Sequence, residues 1–208
     1  MRLAAALALL AGAAALLAYL DFMGRGPLAS TTARHLRAMK DRRGAPASVE
    51  VVTLAGIAAL PHRAPLRTYA AIEGRGVVAE GYVQCILRAL DDDVHLEVVP
   101  APRAPGGPDT TYLSAEITPG WRADSKRWSY GGLEVAFRPN HGGVTAWDGG
   151  PRRVRVSGWL LYDYQYDAPP TELQQRTVAP RISGWEIHPV TRIELWDDAL
   201  GRFVELAR

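Results

Sequence analysis

From residue 48 onward the sequence advances in short β-type runs, each cut off by Pro, Gly or clustered Asp, and this restricts the fold more than any other feature. The runs are "SVEVVTL" (48–54), "GVVAEGYVQCILRAL" (76–90), "VHLEVVP" (94–100), "TTYLSAEITP" (110–119), "RRVRVSGWLLYDYQ" (152–165) and "GWEIHPVTRIELWD" (184–197). They are rich in β-branched and aromatic residues, which suit a pleated, half-buried surface. Short strands separated by turn signals specify a sandwich or barrel, not βαβ units. A bent first strand, a hairpin and two later strands fit a small, partly open five-stranded barrel such as the OB-fold. The expected class is mainly β: a five-stranded OB-like barrel with an N-terminal apolar helix and a short helical segment before the barrel.

Local signals fill in this outline. Gly81 inside the 76–90 run marks a bulge or sharp bend. "DDD" at 91–93 reads as a turn, because clustered Asp hydrogen-bonds its own backbone, so 76–100 is a hairpin. "LRTYAAIEG" (66–74) has a short helical look and ends at a glycine. "LEVAFRPN" (133–140) reads as a short strand within a Trp-rich insertion spanning 121–150. Residues 101–109 and 168–180 are loops by composition. No internal repeat interrupts the 48–208 domain.

The N-terminus carries an address. Arg2 precedes an apolar run from Leu3 to Leu20, the shape of a secretory signal, and the run is also at the lower limit of a membrane span, about 17–25 residues. No clean A-x-A cleavage site follows, so residues 1–22 are a signal peptide or an uncleaved membrane anchor. Arg25, Arg34, Arg37, Lys40, Arg42 and Arg43 come next, and positive charge tends to stay cytoplasmic. That stretch, 23–47, is a basic linker with a helical segment, "TTARHLRAMKDRR", capped by Thr31 or Thr32. The expected location is outside the cytoplasm: periplasmic, or anchored in the inner membrane facing outward. Membrane contact through the N-terminal segment then depends on whether it is cleaved.

Composition excludes little beyond the extremes. A net charge of +2 is too small to argue for nucleic acid, which leaves that partner weakly supported. The single cysteine, Cys85, rules out an intrachain disulfide and sits in an apolar run as a small hydrophobe.

Strand alternation sorts the polar residues. In the last run Trp185, Ile187, Ile193 and Leu195 share the core parity, and Glu186, His188, Arg192 and Glu194 share the other. Pro189 cannot donate to a ladder, which predicts an edge strand or a bulge there. Val94, Leu96 and Val98 oppose His95 and Glu97, while Val154, Val156, Leu160 and Tyr162 oppose Arg155, Ser157, Trp159 and Asp163. His95, Glu97, Asp163, Glu186 and His188 are thereby candidates for one common surface. A carboxylate beside a histidine fixes its tautomer and raises its basicity, the basis of general acid–base chemistry. Two histidines with a carboxylate are also a familiar metal set, although no metal-binding signature such as H-E-x-x-H or C-x-x-C is present.

Walker, dinucleotide and G-x-S-x-G motifs are absent too, so nothing in the sequence names a cofactor. "YDYQYD" (162–167) places Tyr162, Tyr164 and Tyr166 on one side of an extended run. With Trp159 and Arg155 they form a candidate binding surface, where each stacked ring is worth about 1–3 kcal/mol. The competing reading packs the rings over the edge of the core.

"EGYVQCILRALDDDVHLEV", "TTYLSAEITP", "VRVSGWLLYDYQ" and "GWEIHPVTRIEL" together resemble a bacterial family of exported β-rich proteins of uncharacterised activity. The resemblance covers roughly 66–197 and implies His95, Glu116, Asp163, Glu186 and His188 as the matching residues. This chain departs from the pattern where one residue extends the strand before Pro119, and where Tyr166 stands in place of a His. The resemblance names a group and implies no reaction. Three functions remain: a non-catalytic OB-like binding module for an unidentified ligand or protein, a metal-assisted or His-dependent hydrolase or nuclease using His95, Glu186 and His188, and an envelope structural or assembly protein.

Overall fold

The computed structural model describes residues 2–102, 110–137, 152–167 and 180–206, with side chains from residue 5 onward. The chain divides into two compact units, Met1–Asp41 and Arg42–Arg208.

The first unit holds helices α1 (Arg2–Phe22) and α2 (Thr31–Lys40). α1 is built almost wholly from Ala and Leu, the strongest helix formers, and its segment Ala5–Phe22 is long and apolar enough to cross a bilayer. After α1 the backbone turns at Gly24 with φ +72°, where a Cβ would meet the Ala33 carbonyl oxygen at 2.3 Å. Only glycine fits that position. The Ser30 hydroxyl accepts from the Ala33 N–H at 3.1 Å and caps α2. The cap therefore falls one residue before Thr31. All three hydroxyl residues can cap a helix, and Ser30 is the one with extended backbone.

The second unit is the barrel. Its elements in order are β1 (Glu50–Val52), α3 (Leu54–Ala58), α4 (Leu66–Tyr69), β2 (Gly76–Arg88), β3 (Val94–Val99), β4 (Tyr112–Ile117), α5 (Pro119–Ser125), α6 (Tyr130–Ala136), β5 (Arg152–Tyr162), β6 (Arg181–Asp197) and β7 (Arg202–Glu205). β2, β3, β4, β6 and β5 pair in a ring, antiparallel throughout except for the parallel β4–β6 contact. This is the OB-like order, and β1 and β7 extend it beside β2 and β6.

The barrel is closed, not partly open, because β2 is long enough to serve two partners. Its first half pairs with β5 from Gly76 opposite Trp159 to Val83 opposite Arg152, and its second half pairs with β3. Gly81 stands where the two pairings meet. A Cβ there would lie 2.7 Å from both Val98 Cγ1 and the Val99 carbonyl oxygen. The register shift itself comes slightly later, between Val83 and Cys85.

β-sheet alternation fills the interior. Val94, Leu96 and Val98 of β3, Leu113, Ala115 and Ile117 of β4, and Trp185, Ile187 and Ile193 of β6 are fully buried in one core. β6 is no edge: it pairs with β4, β5 and β7. Pro189 sits instead within the irregular register where Gly158 faces Val190 and Leu160 faces Ile187. A bulge lets a residue without an N–H occupy a central strand.

Two local readings are overturned. "LEVAFRPN" is not a strand: residues 133–136 end α6, capped by the Ser129 hydroxyl on the Gly132 N–H. Leu133 and Phe137, four apart and both fully buried, carry the helical period that decides it. Residues 138–140, like the rest of the insertion from 138 to 150, lie outside the described residues. "YDYQYD" is not extended either. The Asp163 carboxylate accepts from the Gln165 N–H at 3.0 Å and starts a 3-10 turn over Tyr164–Tyr166.

Candidate functional site

The core parity of β3, β4 and β6 leaves their other parity on the outer face of the barrel wall, and that parity is polar. Register sets the neighbours: His95 of β3 lies opposite Glu116 of β4, and Ser114 of β4 lies opposite Glu186 of β6. Side chains of one parity on paired strands stand side by side. The result is a buried polar cluster, not a solvated face: Ser114, Glu116, Glu186 and His188 are all 3% exposed or less.

Arg181 organises the acids. Its guanidinium donates to Glu186 Oε2 at 2.7 Å and to Glu116 Oε1 at 3.1 Å. Burial works to lower its pKa, but Glu186 and Glu116 outweigh burial and hold it above its ordinary value. The same guanidinium stacks 3.8 Å from the centre of the Tyr166 ring. Such a buried triad sets geometry more than it adds stability, because desolvation offsets much of the attraction.

Glu116 has two different sides. Its Oε1 also accepts from the Ser114 hydroxyl at 2.9 Å and lies 3.5 Å from His95 Nδ1. Its Oε2 faces His188 Nε2 at 3.7 Å, and Asp93 Oδ2 approaches the same nitrogen at 3.5 Å. Neither ring nitrogen of His188 has a hydrogen-bond partner among the described residues. Burial lowers the His95 pKa, against the pull of Glu116. Beside this group, Glu97 accepts from the Gln84 amide at 3.1 Å.

His95, Glu116, Glu186 and His188 are thus brought together. Asp163 is fully buried but caps the 3-10 turn, and its N–H donates to the Gly184 carbonyl. Tyr162 is buried, its ring packed 4.8 Å from Tyr69 and 5.0 Å from Trp185. Its hydroxyl donates to Asp167 and accepts from the Arg63 N–H, and burial together with Asp167 pushes its pKa up to about 12. Tyr164 packs half-buried against the core. Trp159 donates to the Gly44 carbonyl and has Arg42 over its ring. Arg155 donates to Glu80 and stacks on Phe203. Tyr166 is the ring left half-exposed, at 52%, beside the cluster.

Sequence reasoning missed Asp93, Ser114 and Arg181 as site residues. Asp93 was legible as part of a turn, and Ser114 shares the parity of Glu116. Arg181 gave no signal, because it stands five residues before Glu186 and so has the opposite parity. An irregularity in the β4–β6 pairing, where Tyr112 matches Arg181 but Ser114 matches Glu186, brings the two together.

No protein-family model and no curated protein matches the sequence. Among solved structures the chain is similar to an asparaginyl-tRNA synthetase of Entamoeba histolytica in complex with asparaginyl-adenylate, at 16% identity and a TM-score of 0.33. That match covers 71% of this chain and 24% of the synthetase chain. Fold and outer face define the class: a small OB-like barrel with a buried charged cluster on one wall.

Proposed function

We propose that the chain is an OB-like binding module without catalysis, exported and carried at a membrane by its N-terminal apolar helix, akin to exported bacterial β-rich proteins. It engages a polar ligand at the exposed Tyr166 ring, beside the polar outer wall of β3, β4 and β6. One observation carries this reading: the second and third strands of the barrel, the usual ligand face of the fold, hold charged groups where a plain barrel would be solvated. Tyr166 beside them offers an exposed ring backed by the Arg181 guanidinium. Against a nucleophilic mechanism, the Ser114 hydroxyl donates to Glu116 and not to an imidazole.

The test is binding of oligonucleotide and glycan panels to the full chain in mild detergent. A ligand is expected to bind, and Tyr166→Ala to weaken it by about 1–3 kcal/mol, the usual worth of one stacked ring. No binding to either panel, or full affinity in the variant, overturns the reading. Glu116 flanked by His95 and His188 favours a second reading, a His-dependent or metal-assisted hydrolase. Turnover of a chromogenic phosphodiester that His95→Asn abolishes would establish it in place of the first.

A further inference from the structure

We propose that Asp93, Glu116 and His188 bind a divalent first-row transition cation. One ligand atom from each of the three lies within 4.8 Å of the others. His188 Nε2 stands 3.5 Å from Asp93 Oδ2 and 3.7 Å from Glu116 Oε2, too far for good hydrogen bonds. The first of these separations falls within, and the second just beyond, the spacing of two ligands about 2.0–2.2 Å from a tetrahedral zinc, about 3.3–3.6 Å. The three residues come from the β2–β3 turn, β4 and β6, so the pairing of β3 with β4 and of β4 with β6 assembles them.

His188 supplies the independent sign of a ligand. It is 1% exposed, and among the described residues neither ring nitrogen is hydrogen-bonded. A buried imidazole in that condition is costly, and coordination through Nε2 removes the cost at that atom. Charge points the same way. Glu116 and Glu186 are buried acids that share Arg181, and Asp93 brings a third carboxylate up to His188. A cation completes the balance.

The surroundings are those of a ligand set. Ser114 and Arg181 hold Glu116 by its Oε1 and so aim Oε2 at His188. Asp91, Asp93 and His95 form a second trio of donors within 4.8 Å, and Asp91 is exposed. Asp93 belongs to both trios, which gives an ion a route inward from solvent. One imidazole and two carboxylates suit zinc, manganese or iron(II), with at least one coordination position left for water or a ligand. The site stands whether or not the outer face binds a polymer.

Cobalt(II) is the probe, added to chelator-stripped full chain in mild detergent and followed by visible absorption. The expected result is a saturable absorption at one ion per chain, displaced by zinc. Asp93→Asn and His188→Asn each weaken it at least about tenfold, while Asp92→Asn, on the same turn but outside the set, leaves it unchanged. Absence of a saturable signal from the wild-type chain overturns the site. So does wild-type affinity in either variant when its near-UV circular dichroism shows it folded. Should His188→Asn fail to fold, Asp93→Asn decides, since Asp93 lies in the β2–β3 turn and is the least buried of the three.

Discussion

His62 and His95 differ in environment, and the difference has a sign. The His62 ring bridges the Ala58 carbonyl at 2.8 Å and the Asp167 carboxylate at 2.9 Å, and these bonds raise its pKa. Its contribution to stability is therefore complete below the unfolded value of about 6.5 and is lost as pH rises through the folded value. His95 is the reverse, since burial depresses its pKa. Its contribution is present above about 6.5 and is lost as pH falls through the folded value. Urea midpoints of His62→Gln and His95→Gln, measured against wild type from mildly acidic to mildly alkaline pH, should diverge in opposite directions. His62→Gln loses most at acid pH, and His95→Gln improves there. Slopes of the same sign would refute the assignment. At this scale the sequence was informative wherever period-two alternation held: His95, Glu186 and His188 share a parity set that the strands do bring together. It was silent on Arg181, whose place depends on an irregular pairing, and it overvalued Tyr162, whose ring the core uses.

Among the elements, β6 carries the most constraint, and Gly158 is what lets β5 pass it. A Cβ on Gly158 would fall 2.2 Å from the Pro189 carbonyl oxygen and 2.8 Å from Ile187 Cγ2, and backbone cannot yield as a flexible side chain can. Gly158→Ala should therefore destabilise the barrel by about 1–3 kcal/mol, read as a lower urea midpoint. An unchanged midpoint would mean that β5 and β6 slide apart at no cost. The misread elements share a cause. "LEVAFRPN" has strand composition, but a hydroxyl cap and the buried Leu133–Phe137 pair impose a helical period. "YDYQYD" has strand composition too, but the Asp163 carboxylate bends it after Tyr162. Local hydrogen bonds outweighed intrinsic propensity in both.

For the whole molecule, α1 sets where the barrel resides. Its 18-residue segment Ala5–Phe22 passes the length and apolarity required of a span, as a signal sequence also would. If it is a permanent anchor, the full chain expressed in a bacterial host stays with the membranes after an alkaline carbonate wash. Its intact mass then retains the N-terminus. Loss of about the first 20–29 residues would show a cleaved signal instead.

Sequence alone determined the class of this protein and much of the core face of its strands. Strand length, turn residues and alternation are local properties, and they suffice to specify a small β-barrel behind an apolar helix. Closure, the central position of β6 and the meeting of Asp93, Glu116, Arg181 and His188 were decided by tertiary structure. Each depends on which strand pairs with which and in what register, including the irregular steps at Tyr112–Ser114 and Ser157–Leu160. One shifted residue turns a side chain to the opposite face, and no local pattern encodes the partner against which that shift is measured.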